Sequence, residues 1–169
     1  MNYIRATDSQ IYPTAKIVNT TNDPAKFRIG KKCIIGDFVF IALKRLRMGF
    51  GSQIAPHAML SGGGEVIMEP FSVIGFGSHL ITGTDTTRGK YMCEAASKEF
   101  RNVIRGSITL KKGAYIGSNA MICVCEEYPD IVIGENSVVG AFSYIDKDIP
   151  PNIIVYPKQE LVFKPREWQ

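Results

Sequence analysis

Histidine is scarce in this chain, since His57 and His79 are the only two among its 169 residues. This scarcity argues against a zinc centre built on three histidines of one chain. The four cysteines, Cys33, Cys93, Cys123 and Cys125, do not supply the missing ligands. Their spacing matches no zinc motif, because the C-x-C pair at 123 and 125 has no companion histidine. We therefore expect no metal, and free thiols in a reducing compartment.

Long apolar runs and dense basic stretches are also missing. No segment approaches the roughly 18 apolar residues of a membrane span. The first ten residues, MNYIRATDSQ, do not have the pattern of a secretory signal. The net charge of +4 is mild and has no basic stripe of the kind that binds nucleic acid. We expect a cytoplasmic protein with no stable membrane insertion and no nucleic-acid partner, though a small anionic ligand is compatible with this charge.

What the chain has instead is an aliphatic residue at every sixth position, in groups of three. The groups are Ile29, Ile35 and Ile41; Met48, Ile54 and Leu60; Met68, Ile74 and Leu80; Leu110, Ile116 and Ile122; and Ile133, Val139 and Ile145. Extra residues occur only between groups, never inside one. A period of six fits neither a helix nor a two-faced strand, but it is typical of a solenoid. The pattern predicts an all-β, triangular parallel β-helix of about five full coils, with every insertion leaving from one corner.

The repeat also predicts how the chain is divided within a single domain. The marked side chains point inward, together with small residues two positions earlier, such as Ser52, Ala58, Ser72 and Ser78. Residues 1–28 are expected to form a partial coil or cap, 29–146 the β-helix, and 147–169 a tail that folds back over its end. The prolines at 150 and 151 are expected to stop the strand ladder, and Phe163 and Trp168 to pack in the tail.

One long insertion, at 81–107, interrupts an otherwise economical solenoid. Loops of this length are more often functional than accidental. Its middle segment, EAASKEF at 94–100, is expected to make a helical turn. We expect the loop to reach over a neighbouring subunit or an active-site cleft.

Three segments carry a resemblance to a known family: GGGEVIMEPFSVIGFGSHLITGTD at 62–85, AYIGSNAMI at 114–122 and IVIGENSVVGAFSYIDKDIPPN at 131–152. The chain resembles the hexapeptide-repeat acyltransferases, which fold as left-handed parallel β-helices, and among them the sugar O-acetyltransferases. The resemblance implies a homotrimer that binds acetyl-CoA in a groove between adjacent prisms and transfers its acetyl group directly to a sugar. It also implies five coenzyme-binding residues, namely Tyr115, Ser118, Ala141, Lys147 and Lys158. Ser118 and Ala141 would offer backbone groups to the pantetheine amides, and Lys158 would meet the phosphates.

The catalytic base is where the chain departs from that family. Its relatives place a histidine shortly after a Thr-Gly pair, whereas Thr82-Gly83 is followed here by Thr84 and Asp85. The candidates for the role are His57, His79 and Asp85. An ordinary aspartate, with a pKa of about 3.9, is a poor base for a sugar hydroxyl unless burial raises its pKa.

Several functions therefore remain open. The leading hypothesis is acetyl transfer to a hydroxyl of a sugar or a surface-polysaccharide precursor. N-acetylation of an amino sugar is an alternative, because a neutral amine attacks a thioester without a base. A non-catalytic member of the fold is a third possibility. An acyl-enzyme on Cys93 is disfavoured, since no histidine neighbours that residue in sequence.

Overall fold

The computed structural model describes residues 3–158, and this part of the chain is built almost wholly from short strands. The strands are, in chain order, β1 (Ile4–Arg5), β2 (Gln10–Ile11), β3 (Lys16–Asn19), β4 (Phe27–Ile29), β5 (Ile34–Ile35), β6 (Phe40–Leu43), β7 (Arg45–Met48), β8 (Gln53–Ile54), β9 (Met59–Ser61), β10 (Glu65–Met68), β11 (Val73–Ile74), β12 (His79–Ile81), β13 (Gly83–Asp85), β14 (Val103–Arg105), β15 (Ser107–Leu110), β16 (Tyr115–Ile116), β17 (Met121–Cys123), β18 (Asp130–Ile133), β19 (Val138–Val139), β20 (Tyr144–Ile145) and β21 (Ile154–Val155). Two 3-10 turns, Pro24–Lys26 and Lys98–Phe100, are the helical segments in the described range. No helix within it is long and apolar enough to cross a membrane.

Three parallel sheets form the faces of a left-handed triangular prism. Face A runs β1-β4-β7-β10-β15-β18, face B runs β2-β5-β8-β11-β16-β19-β21, and face C runs β3-β6-β9-β12-β17-β20. The chain passes from A to B to C and then starts the next coil, so the prism has three edges, AB, BC and CA. Six coils are complete, and the predicted fold class is confirmed.

The inside of the prism is lined as the repeat predicts. All fifteen marked aliphatic residues are buried, and none is more than 6% exposed. The register stacks them from coil to coil: Leu60 pairs with Leu80, and Leu80 with Ile122. The small residues two positions earlier, Ser52 and Ser72 among them, are buried too. Stacking aliphatic side chains on neighbouring parallel strands gives one continuous core along the prism.

Edges AB and BC turn sharply, whereas edge CA accommodates every insertion. Positive φ angles mark the sharp turns, for example at Phe38, His57 and Phe142 on edge BC. The loops at 62–64 and 126–129 and the long excursion all lie between a strand of face C and one of face A. The predicted single corner for insertions is therefore confirmed.

The excursion begins and ends as an antiparallel pair, β13 with β14. Thr86 N donates to Asn102 O at 2.7 Å and Tyr91 N donates to Phe100 O at 3.1 Å, which continues the pairing outward. The turn Lys98–Phe100 falls inside the segment expected to be helical.

Both ends of the stack are longer than expected. Strands β1, β2 and β3 make a complete coil, where only a partial one was expected within 1–28. The expectation that Pro150 and Pro151 stop the ladder is wrong, because Ile149 bridges Ile133 and β21 pairs with β19. These prolines lie at edge AB between the two pairings, where the missing N–H removes no bond of the ladder. Residues 159–169, with the predicted packing of Phe163 and Trp168, lie outside the described residues.

Candidate functional site

A cleft of about 620 Å³ opens at edge CA, where the excursion leaves the prism. One wall is the β13–β14 hairpin with Asp85, Arg101 and Arg105, and the other is the glycine turn at 62–64. Glycine is required at this turn, since Gly62 has a φ of +99° and a side chain there would collide with the backbone of Gly83. The turn therefore packs backbone against backbone on the hairpin, and it serves as the floor beneath the charged wall.

The carboxylate of Asp85 is hydrogen-bonded within this cleft. It accepts two hydrogen bonds from Arg101, with Nε to Oδ1 at 2.8 Å and Nη2 to Oδ2 at 2.7 Å. These hydrogen bonds, together with the positive charges of Arg101 and Arg105, lower the pKa of Asp85, and the pKa of Arg101 is raised in return. A carboxylate held in its charged form by two such bonds is poorly suited to accept a proton at neutral pH.

The two histidines lie elsewhere on the prism. His57 is exposed on edge BC with a φ of +60°. Its ring stacks on Phe38 at a centroid distance of 5.0 Å and contacts Phe76 at 5.2 Å. His79 begins β12 on the outer side of face C, between Met59 and Met121 of the neighbouring strands. Among the described residues no hydrogen bond joins either imidazole to Asp85, so the three predicted catalytic residues do not form one cluster within the chain.

Four of the five predicted coenzyme residues follow one edge. Ser118 and Ala141 occupy equivalent positions of edge BC on successive coils, and Phe142 N donates to Ser118 O at 3.0 Å. Since Val139 pairs with Val155, Lys158 approaches the same edge one coil further on. Tyr115 begins β16 on the outer side of face B, just before this edge. The fifth residue, Lys147, follows β20 at edge CA and is therefore separate from the others.

A second groove, of about 880 Å³, lies on face C beside the excursion. Cys123 and Tyr144 line it, and both have a raised pKa, mainly because of burial. All four cysteines are free, and Cys33 is buried. Within residues 3–158 no group of three or more His, Cys, Asp or Glu side chains is arranged to hold a metal ion.

Sequence reasoning missed three residues of these clefts: Arg101, Arg105 and Tyr144. Tyr144 carries a usable signal, because it immediately precedes the inward Ile145 and must face outward. The two arginines belong to the aperiodic excursion, where no repeat fixes the direction of a side chain.

No family profile matches the chain, but comparison with curated proteins gives several relatives. The bifunctional protein GlmU of Brevibacillus brevis is 28% identical over 137 residues, which are 81% of this chain and 24% of GlmU. Galactoside O-acetyltransferase of Escherichia coli is 45% identical over 47 residues, which are 28% of this chain and 21% of that protein. The chain thus spans about a quarter of the length of the curated relatives it matches.

Among solved structures, AntD, an N-acyltransferase from Bacillus cereus in complex with dTDP and 3-hydroxybutyryl-CoA, matches with a TM-score of 0.80. Its sequence identity is 26%, and the match covers 92% of this chain and 79% of AntD. An AntD variant in complex with dTDP-4-amino-4,6-dideoxyglucose and coenzyme A matches with a TM-score of 0.79 over 98% of this chain and 86% of the variant, at 26% identity. With its six-residue repeat, its three-faced prism and these relatives, the chain belongs to the hexapeptide-repeat acyltransferases.

Proposed function

We propose that this protein is an acyl-CoA-dependent acyltransferase that acylates the amino group of a sugar. The likeness to AntD supports this proposal, because it extends over nearly the whole chain. The donor is acetyl-CoA in our proposal. The 3-hydroxybutyryl-CoA bound by AntD makes a longer acyl group the first alternative donor to test.

The ion pair of Asp85 and Arg101 is the observation that carries the choice of an amine. Attack by a sugar hydroxyl on a thioester needs a base to remove the proton. The carboxylate at the cleft is already held by Arg101, and no histidine lines the cleft among the described residues. A neutral amine needs no such base. Its nitrogen forms a bond to the carbonyl carbon, the carbon–sulfur bond breaks, the thiolate of coenzyme A leaves, and the proton departs through water.

Coenzyme and acceptor would meet between subunits. The predicted coenzyme residues Ser118, Ala141 and Lys158 follow edge BC, whereas the acceptor cleft opens at edge CA, across face C. We propose a homotrimer in which edge CA of one prism faces edge BC of the next. The excursion would then close over a coenzyme bound to the neighbouring subunit.

A second candidate is O-acetylation of a sugar hydroxyl. It is favoured by the local match of 45% identity to galactoside O-acetyltransferase. His57 would then be the base, since its ring is exposed on edge BC, along which the coenzyme is predicted to lie.

Release of coenzyme A thiol, followed with a panel of amino sugars and hydroxyl sugars, tests the proposal. We expect release with amino sugars and a rate that rises with pH as the acceptor amine loses its proton. Turnover with hydroxyl sugars alone would favour the second candidate. If calorimetry detected no binding of coenzyme A, the chain would be a non-catalytic member of the fold.

A further inference from the structure

A small hollow of about 300 Å³ adjoins the cleft at edge CA and carries an unusual concentration of positive charge. It is lined by Lys98, Arg101, Val103 and Arg105, so three of its four lining residues are basic and none is acidic. It shares Arg101, Val103 and Arg105 with the larger cleft.

Only one of these three cations is neutralised by an ion pair. Asp85 forms an ion pair with Arg101, whereas Arg105 and Lys98 form no ion pair with any described residue. Glu94 lines the larger cleft but not the hollow. Like charges held close together repel one another, and an anion between them removes that repulsion.

The shape of the site restricts where such an anion can lie. The Arg105 side chain crosses the glycine turn, with its Nε 3.4 Å from the point where a side chain on Gly63 would begin. Arg105 therefore borders both the glycine turn and the hollow. A guanidinium and an ammonium on one wall suit a phosphoryl group, which has several acceptor oxygens and up to two charges.

We propose that this hollow binds a phosphoryl group of the acceptor, held by Arg105 and Lys98, while the sugar lies over the glycine floor of the larger cleft. This inference rests on the proposed function for the identity of the sugar, and it deepens that function by making the acceptor a phosphorylated or nucleotide-linked amino sugar. Coenzyme A also carries phosphates, but the predicted coenzyme residues follow edge BC, whereas the hollow lies at edge CA.

The test is calorimetric binding of inorganic pyrophosphate, dTDP and coenzyme A to the full chain and to two variants. Arg105→Gln removes one of the positive charges that line the hollow. Arg88→Gln is the matched control, because Arg88 lies on the same excursion but outside the hollow, paired with Glu126. We expect Arg105→Gln to weaken pyrophosphate and dTDP binding by about tenfold or more, the loss typical of a charge-assisted contact, and Arg88→Gln to leave it unchanged.

Three results would overturn the inference: no binding of either probe to the native chain, equal losses in both variants, or a loss in Arg105→Gln confined to coenzyme A. Displacement of pyrophosphate by a sugar carboxylate at equal concentration would also contradict it, since the site would then not select phosphate. In the transfer assay, equal KM values for phosphorylated and unphosphorylated amino sugars would refute phosphoryl binding in the hollow. They would not contradict the proposed acyltransferase activity. Selective pyrophosphate binding without any acyl transfer would support the phosphoryl site in the hollow and refute the proposed function.

Discussion

Arg101 donates a hydrogen bond to each carboxylate oxygen of Asp85, with nitrogen–oxygen distances of 2.8 and 2.7 Å. This contact joins the two ends of the excursion. The third nitrogen of Arg101, Nη1, donates to the carbonyl oxygen of Glu94 at 3.5 Å, further out in the same segment. One side chain thus connects the first strand of the hairpin, the outer loop and the returning chain. This contact gives the wall of the cleft its shape and keeps Asp85 charged.

We predict that Arg101→Lys loosens the excursion, because an ammonium cannot reproduce the two-point geometry of a guanidinium. Hydrogen exchange of the amides in 86–102 should quicken by about tenfold, while exchange in the prism stays unchanged. Lys98→Arg serves as the control, since Lys98 lies in the same segment without an ion pair. Unchanged protection in 86–102 would show that the ion pair does not hold the loop.

The same contact predicts a pH dependence. The pKa of Asp85 is lowered from its ordinary value of 3.8. Its stabilising contribution is therefore complete above that value and is lost as the pH falls through the lower pKa of the folded state. Protection of the excursion should disappear in that acidic range in the native chain. Asp85→Asn should lack this pH-dependent step, and a step that persisted in that variant would assign it to another group.

The packing of the prism core predicts that two isoleucines on face B contribute very differently to the free energy of unfolding. Ile74 is fully buried, whereas Ile154 is 69% exposed. We expect Ile74→Ala to lower the free energy of unfolding by about 3 kcal/mol, through lost burial and the cavity left behind. Ile154→Ala should change it by less than about 0.5 kcal/mol. Equal effects in denaturant titrations would contradict the inward direction of the repeat.

His57 distinguishes the two candidate reactions. Asparagine is the suitable replacement, because it tolerates the positive φ at this position better than alanine. With an amine acceptor, we expect His57→Asn to keep kcat/KM within about threefold of the native value. A fall of about a hundredfold or more, the usual loss of a general base, at an unchanged melting temperature would assign the base to His57.

Four of the five predicted coenzyme residues follow edge BC, and we therefore predict that the coenzyme binds along this edge. Ala141→Glu places a negative charge on this edge, and we expect the Kd of coenzyme A to rise by about tenfold or more. Lys158→Ala should raise it by a smaller factor, through loss of one phosphate contact. Lys16→Ala, an exposed lysine on the first coil, should have no effect. Calorimetric values that are equal for all three variants would move the coenzyme to another edge.

The inward direction of Ile74 and its equivalents could be read from the sequence, because one spacing constrains many residues at once. A side chain at a repeat position must fit between aliphatic neighbours above and below, so local sequence determines its direction. The same argument places His57 on an outer edge and Ser118 beside Ala141. Pro150 and Pro151 were misread because proline interrupts a ladder only where an N–H is needed, and that depends on their position at edge AB.

The residues of the cleft at edge CA could not be predicted from a repeat spacing. Asp85 and Arg101 are sixteen residues apart in a segment without a period, and their contact depends on how the hairpin folds back. Sequence reasoning therefore treated Asp85 as a possible base and overlooked the arginine that holds it. Arg105 and Lys98 were visible only as charges, since nothing in their spacing shows that they line one hollow.

The most direct test uses two nucleotide sugars that differ only in bearing an amino or a hydroxyl group at one carbon. dTDP-4-amino-4,6-dideoxyglucose is a suitable first member of the pair. Each is incubated with acetyl-CoA and the native chain, and the product is identified by mass spectrometry. We predict an acetyl amide from the amino sugar, with one thiol released per product, and no product from its hydroxyl counterpart. An acetyl ester on the hydroxyl sugar, or no transfer to either, would contradict the account.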